Sequence, residues 1–179
     1  YDREAGVMRV MLVSPLPRGF LLFAKILAAT ILSGVQIVVF LILASLFGFF
    51  MPFSTVWLIF PAIFLSGIML GSIGLLITVY TRQIENFAGM MNFVIFPMFF
   101  MSSALYPLWK LRESGTQILY WIAVANPFTH VVELIRFSAY GKLNIGSATL
   151  VLATALIAFL LATRGYDPNY GSIGKIKRA

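Results

Sequence analysis

Two uninterrupted apolar stretches, about Phe20 to Phe50 and about Val56 to Tyr80, constrain this chain more than any other feature. A helix needs about 20 apolar residues to cross roughly 30 Å of hydrocarbon. Both stretches are long enough, and neither alternates polar with apolar as a barrel strand would. Two further runs, about Phe87 to Leu105 and about Ser147 to Thr163, lie within the usual spanning range. Lipid offers no partner to an open backbone, so continuous runs of this kind fold as helices. The expected fold is all-α: a polytopic membrane bundle with four transmembrane helices over 20–50, 56–80, 87–105 and 147–163.

Composition excludes the alternative that these runs form the core of a soluble domain. Of 179 residues, 60% are hydrophobic and 11% charged, with a mean hydropathy of +0.95. Soluble domains carry roughly 45–50% apolar residues and about 25% charge. A chain this size closes one ordinary core and cannot hide so much apolar surface inside it. The net charge of +7 raises nucleic acid as a partner. The basic residues, however, sit at the ends of apolar runs rather than in clusters with interleaved aromatics, which fits membrane orientation and no nucleic acid. The sequence has no cysteine, so thiolate metal sites are excluded.

Orientation follows from where Lys and Arg fall. One side collects Arg3, Arg9, Arg18, Lys25, Arg82, Arg164, Lys175, Lys177 and Arg178; the other collects Lys110, Arg112, Arg136 and Lys142. Nine against four marks the first side as cytoplasmic. Both ends of the chain are then cytoplasmic, which agrees with four spans. The chain divides into a cytoplasmic segment 1–19, a transmembrane domain 20–163 and a basic cytoplasmic tail 164–179. The connection 106–146 faces outward.

Residues Asp2 to Val13 form a short helix candidate ahead of the first span. Val7, Met8, Met11 and Leu12 share one face, and acids in the first turn suit the helix dipole. Ser14-Pro15-Leu16-Pro17 ends it. The result is an amphipathic helix along the cytoplasmic surface, either an interfacial anchor or a contact for a partner. Asn126 to Tyr140 carries its own start and stop: Asn126 as N-cap, Pro127 at the first helical position, Gly141 at C′. Phe128, Val131, Val132, Ile135 and Ala139 make an apolar face, and His130, Glu133, Arg136 and Tyr140 a second stripe whose neighbouring charges can pair. A helix this short cannot span. With the apolar run Ile118–Val124 before it, it forms either a hairpin dipping into the outer leaflet or one lying flat on the surface.

Within the spans, Gly67, Gly71 and Gly74 share a helix face and mark a packing seam, internal or between subunits. Pro97 is expected to kink the third span. Gln36 and Asn92 are intramembrane amides of the kind that face a bundle interior or cavity. The Phe- and Met-rich third span, with Phe96 and Met101, either lines a path for an amphiphile or meets lipid.

Three segments in order carry a family resemblance. Asp2-Arg3-Glu4-Ala5-Gly6-Val7-Met8-Arg9 with Leu12-Val13-Ser14-Pro15-Leu16 resembles the cytoplasmic segment before the third of six helices in the type-2 ABC exporter permeases. Ser102-Ser103-Ala104-Leu105-Tyr106-Pro107-Leu108 resembles their exit from the fifth helix. Asn126-Pro127-Phe128-Thr129-His130, with Glu133, Arg136 and Gly141, resembles their Asn-Pro segment before the last helix. The resemblance implies a membrane-spanning subunit of an ATP-driven exporter working as a dimer of permeases. It implies coupling to a separate ATPase through Asp2, Arg3, Glu4, Gly6, Val7 and Arg9, and a re-entrant outer helical hairpin rather than a flat one. Gln36, Asn92, Phe96 and Met101 become candidates for the translocation path. Two leading helices of the usual six are missing, and the chain starts at Tyr1 in a polar segment, so a C-terminal portion of a longer protein is expected.

Other chemistries find little support. His130 is the single histidine, and no carboxylate cluster completes a metal shell or an acid–base site around His130 and Glu133. Gly171-Ser172-Ile173-Gly174-Lys175 departs from a phosphate loop at Asn169 and Ile176, so ATP and Mg would be bound by the partner and no cofactor by this chain. An ion-driven transporter or channel would place ionisable groups in mid-membrane, where these spans have essentially none. A membrane-embedded enzyme would need a catalytic constellation, and none is found. The topology is testable in this cysteine-free chain with single cysteines and an impermeant thiol reagent on intact cells. Positions beside Arg82 and Lys175 are expected to stay protected and positions beside Lys110 and Lys142 to label; outside labelling at Arg82 would overturn the orientation.

Overall fold

The computed structural model describes residues 18–48, 52–81, 84–113 and 115–165. Seven helices run through them: α1 (Arg18–Leu46), α2 (Phe53–Tyr80), α3 (Ile84–Phe100), α4 (Leu108–Glu113), α5 (Gln117–Ala125), α6 (Pro127–Ala139) and α7 (Ile145–Gly165). No strand occurs among the described residues. The expected all-α fold is therefore present. The expected amphipathic helix Asp2–Val13 and the tail beyond Gly165 lie outside the described residues.

Three helices, α1, α2 and α7, are long and apolar enough to cross a membrane. The expected third span, 87–105, is shorter: α3 has 17 residues and gives way to turns from Met101. At 1.5 Å per residue it reaches about 26 Å, just under the hydrocarbon thickness. Its end is set by Ser102 and Ser103, whose hydroxyls compete for backbone groups, and by Pro107 beyond them. Helices α5 and α6 have 9 and 13 residues and meet at Asn126 with an 82° bend. Neither crosses alone; the pair is a broken span or a re-entrant loop.

Helix α2 is the hub. The buried cluster Ala62, Met69, Val131, Leu134, Val151 and Ala155 draws on α2, α6 and α7. Its α7 side is a stripe of small residues, with Val151, Ala155, Ala158 and Ala162 all buried. Against lipid, helices gain little from apolar burial alone, and small side chains let backbones come close enough for dispersion to hold them. The other side of α2 uses glycine for the same purpose. A Cβ built on Gly67 would lie 2.8 Å from Thr30 Cγ2, and one on Gly71 3.1 Å from Ile26 Cγ2. Gly74 faces Met91 Cε of α3 at 3.8 Å by the same measure. The seam thus seats α1 and α3 of the same chain.

These contacts set directions. Ile26 opposite Gly71 and Thr30 opposite Gly67 make α1 antiparallel to α2. Gly165 beside Val79 and Tyr80, and Gly141 beside Thr55, make α7 parallel to α2. Lys25 and Arg164 consequently lie in the half of the bundle where α2 finishes, and Arg18 begins α1 on the same side. Lys110, Arg112, Arg136 and Lys142 gather where α2 begins. For these described residues, the charge division read from the sequence is a division between the two ends of the bundle.

Two prolines lie inside helices, Pro61 in α2 and Pro97 in α3. Each removes one backbone donor, yet both helices continue past them. Pro61 carried no expectation from the sequence.

The Gly67 contact leaves no room for a larger side chain. Gly67→Leu is expected to force α1 from α2 at the cost typical of overpacking, about 1–3 kcal/mol. Thermal unfolding in detergent measures this. Gly34→Leu is the control, since a Cβ there meets nothing within 4 Å. Equal loss in both variants would contradict the assigned seam.

Candidate functional site

The first turn of α6 is built as the sequence predicts. Asn126 sits in extended backbone and its Oδ1 accepts the Phe128 N–H at 3.0 Å, with Pro127 at the first helical position. At the other end Gly141 takes φ 71°, a left-handed conformation that glycine adopts without strain. The Gly141 N–H donates to Ser138 O at 3.0 Å and the Lys142 N–H to Phe137 O at 2.9 Å, the paired bonds of a Schellman stop.

This helix closes the ends of two others. The last four carbonyls of a helix have no partner within it. At the end of α3, Pro97 O takes the Met101 N–H, and Phe99 O takes both the Ser102 N–H and the Ser102 hydroxyl. Met98 O is met from outside, by Asn126 Nδ2 at 2.6 Å. At the end of α5, Val124 O lies 2.9 Å from His130 Nε2. A carbonyl can only accept, so Nε2 carries the proton there. His130 is thus tied to the backbone of α5 and does not reach Glu133.

Glu133 and Arg136 do pair, with Arg136 Nη1 donating to Glu133 Oε1 at 2.8 Å. Arg136 Nη2 donates to Ser103 O, also at 2.8 Å. Ser103 is fully buried, and α6 takes all of its polar groups. Its N–H donates to Thr129 Oγ1 at 3.2 Å and its hydroxyl to Thr129 O at 3.4 Å, while its carbonyl accepts from Arg136. Phe99 stacks edge-on against Phe128, with ring centroids 6.1 Å apart. The face of α6 that carries Thr129, Glu133 and Arg136 is therefore a latch on the exit of α3.

Here the structure corrects the division of α6 into faces. The sequence separates an apolar face, Phe128, Val131, Val132, Ile135 and Ala139, from a polar stripe. In the structure Val131 and Leu134 are buried together with Thr129, Glu133 and Ser138, while Phe128, Val132, Ile135 and Ala139 are only partly covered. The reason is that α6 packs on two surfaces at once: α2 and α7 on its apolar side, the polar exit of α3 on the other. Thr129 and Ser103 were absent from the sequence-derived site. A serine pair directly after an apolar helix was the available signal.

The remaining expected residues do not join the latch. Gln36 and Asn92 are exposed on the surface of this chain rather than enclosed in its bundle. Phe96 and Met101 are 54% and 50% exposed on the same terms. Asp2, Arg3, Glu4, Gly6, Val7 and Arg9 lie outside the described residues. Among the described residues no group of three His, Cys, Asp or Glu side chains could hold a metal. The arrangement holds helices together; nothing in it positions a nucleophile or an acid–base pair.

Helices able to span, joined by a broken pair at one end, define a multi-pass membrane protein, and comparison of the sequence supplies the family. The profile of the ABC-2 type transporter membrane family matches residues 1–140, and the chain belongs to that family. Nodulation protein J of Rhizobium leguminosarum bv. viciae is similar, with 28% identity over 109 residues. The match covers 58% of this chain and 39% of that protein, so the chain spans well under half of its relative's length. No solved structure gives a significant match.

The latch has a measurable energy. Exposed pairs contribute about 0.2–1 kcal/mol, and breaking a buried pair costs about 3–5. Glu133 and Arg136, with side chains 11% and 32% exposed, fall between. Arg136→Ala is expected to lower stability in detergent by about 2–3 kcal/mol, since it also releases Ser103 O. Arg136→Lys should recover only part, because an ammonium lacks the planar fork that reaches Glu133 and Ser103 together. An Arg136→Ala change below about 0.5 kcal/mol would class the pair as ordinary solvated surface.

Proposed function

We propose that the chain is the membrane-spanning permease subunit of an ATP-driven exporter, working with a separate ATPase subunit and a second permease copy. The observation that carries this reading is the family match over residues 1–140, which includes the Asp2–Val13 segment. In this reading the membrane is the plasma (inner) membrane and both ends of the chain are cytoplasmic. Closure of two ATPases pushes on Asp2–Val13. The segment's charged start, Asp2, Arg3 and Glu4, together with Gly6, Val7 and Arg9, meets the partner, while Met8, Met11 and Leu12 pack toward the protein or the bilayer. ATP and Mg stay with the ATPase.

Two features of the fold favour a mechanical role. Helix α1 follows that segment directly and is seated on α2 through Gly67 and Gly71, so displacement of its start is carried to the hub. At the opposite end the latch joins α3, α5 and α6, so that end moves as one piece. The exposed Gln36 and Asn92 amides are costly against lipid. A path shared with the second copy, lined also by Phe96 and Met101, would give them polar partners.

Reversing one charge tests the coupling. Glu4→Lys is expected to weaken ATPase association or to uncouple hydrolysis from export while the spans insert normally. A lipid anchor forecasts the reverse, stronger attachment to anionic lipid with function untouched. The assay is copurification of the ATPase together with ATP-dependent export in vesicles. Full export by Glu4→Lys would remove the coupling role.

A further inference from the structure

Beside the latch lies a groove of about 730 Å³ between the start of α4 and the last turns of α6. Trp109 forms one wall, and Glu133, Arg136, Phe137, Tyr140 and Lys142 form the other. We propose that this groove binds the phosphate headgroup of an anionic phospholipid.

Three observations point to that occupant. First, the groove lies at the bundle end. Gly141 adjoins Thr55, near the start of α2, and α7 begins four residues later at Ile145. That level is where headgroups lie beside spans of this length. Trp109 and Tyr140 are 63% and 78% exposed there, as aromatic rings are at the edge of hydrocarbon.

Second, the charge is complementary. The groove holds two cations, Arg136 and Lys142, and one carboxylate, Glu133, which already pairs with Arg136. Among the described residues lining the groove, Lys142 is left as the uncompensated charge. The end of α6 would by itself repel an anion, but its Phe137 and Ser138 carbonyls are occupied by the Schellman bonds.

Third, Arg136 is set in place before any ligand arrives. Two of its five N–H groups are used, one on Glu133 and one on Ser103. Among the described residues the other three donors meet no partner, on a guanidinium whose position is held from both sides, the arrangement that suits a tetrahedral anion. The apolar flank, Trp109 and Phe137, accommodates the glycerol and the first carbons of an acyl chain.

The test needs neither ATPase nor transport, so its failure is distinct from failure of the export reading. Purified protein in detergent is given equal amounts of phosphatidylglycerol and phosphatidylcholine, and retained lipid is counted by native mass spectrometry. Wild type is expected to retain phosphatidylglycerol preferentially. Lys142→Glu should reduce that preference about tenfold, in keeping with the attraction of each basic residue to an anionic surface. Lys142 is exposed, so the variant is expected to keep its thermal stability. Arg112→Glu makes the same charge change outside the groove and should leave the preference intact. Equal loss in both variants, or none in Lys142→Glu, would overturn the site. Displacement of the lipid by an equal concentration of free glycerol phosphate would overturn the assignment to a lipid.

Discussion

A helix that stops inside a protein or a membrane strands carbonyls that water cannot reach, and the architecture of this chain depends on how those groups are met. Helices α3 and α5 both stop short of a full span. Local groups meet Pro97 O and Phe99 O, and the donors that reach these exits from outside come from the α6 segment: Asn126 for Met98 O, His130 for Val124 O, Arg136 for Ser103 O. Each unpaired group would cost on the order of several kcal/mol in hydrocarbon. Short helices at this end of the bundle are possible because α6 supplies those donors. The same residue types that suggest chemistry in a sequence, a lone histidine and a carboxylate–guanidinium pair, are used here to satisfy backbone.

The rest of the fold is organised by close approach. Helix α2 carries glycine toward α1 and α3 and meets the alanine-rich stripe of α7 with Ala62 and Met69. Contacts of this kind rest on dispersion between closely fitted surfaces and have no preferred direction. Directional bonds, in contrast, hold only in one geometry. The bundle therefore has a smooth seam along most of its length and a bonded block where α3, α5 and α6 meet. The large exposed apolar surface of α1 is consistent with lipid or a second subunit as its remaining neighbour.

Much of the scaffold was legible in the residues themselves. Hydropathy alone identified α1, α2 and α7 to within a few positions, because a long apolar run has one low-energy form in lipid. Asn126, Pro127 and Gly141 marked the limits of α6, since capping is a local preference written in a few adjacent residues. The grouping of basic residues anticipated which helix ends lie together. Family membership was also readable, from short segments in the right order.

What the sequence by itself determined, then, is what depends on near neighbours: helix content, approximate limits, caps and the sign of charge at each end. Tertiary structure alone decided that Gly67 and Gly71 seat α1, and that His130 caps α5 instead of facing Glu133. It also placed Gln36 and Asn92 on the surface of the chain. A single helical period describes one apolar face, and α6 must serve two partners of opposite polarity. The partners of Ser103 lie 26 and 33 residues away, at Thr129 and Arg136, beyond any local pattern. The physical reason is that the cost of an unpaired buried carbonyl is fixed by where the chain ends up, and the donor is whichever side chain packing brings within 3 Å of it.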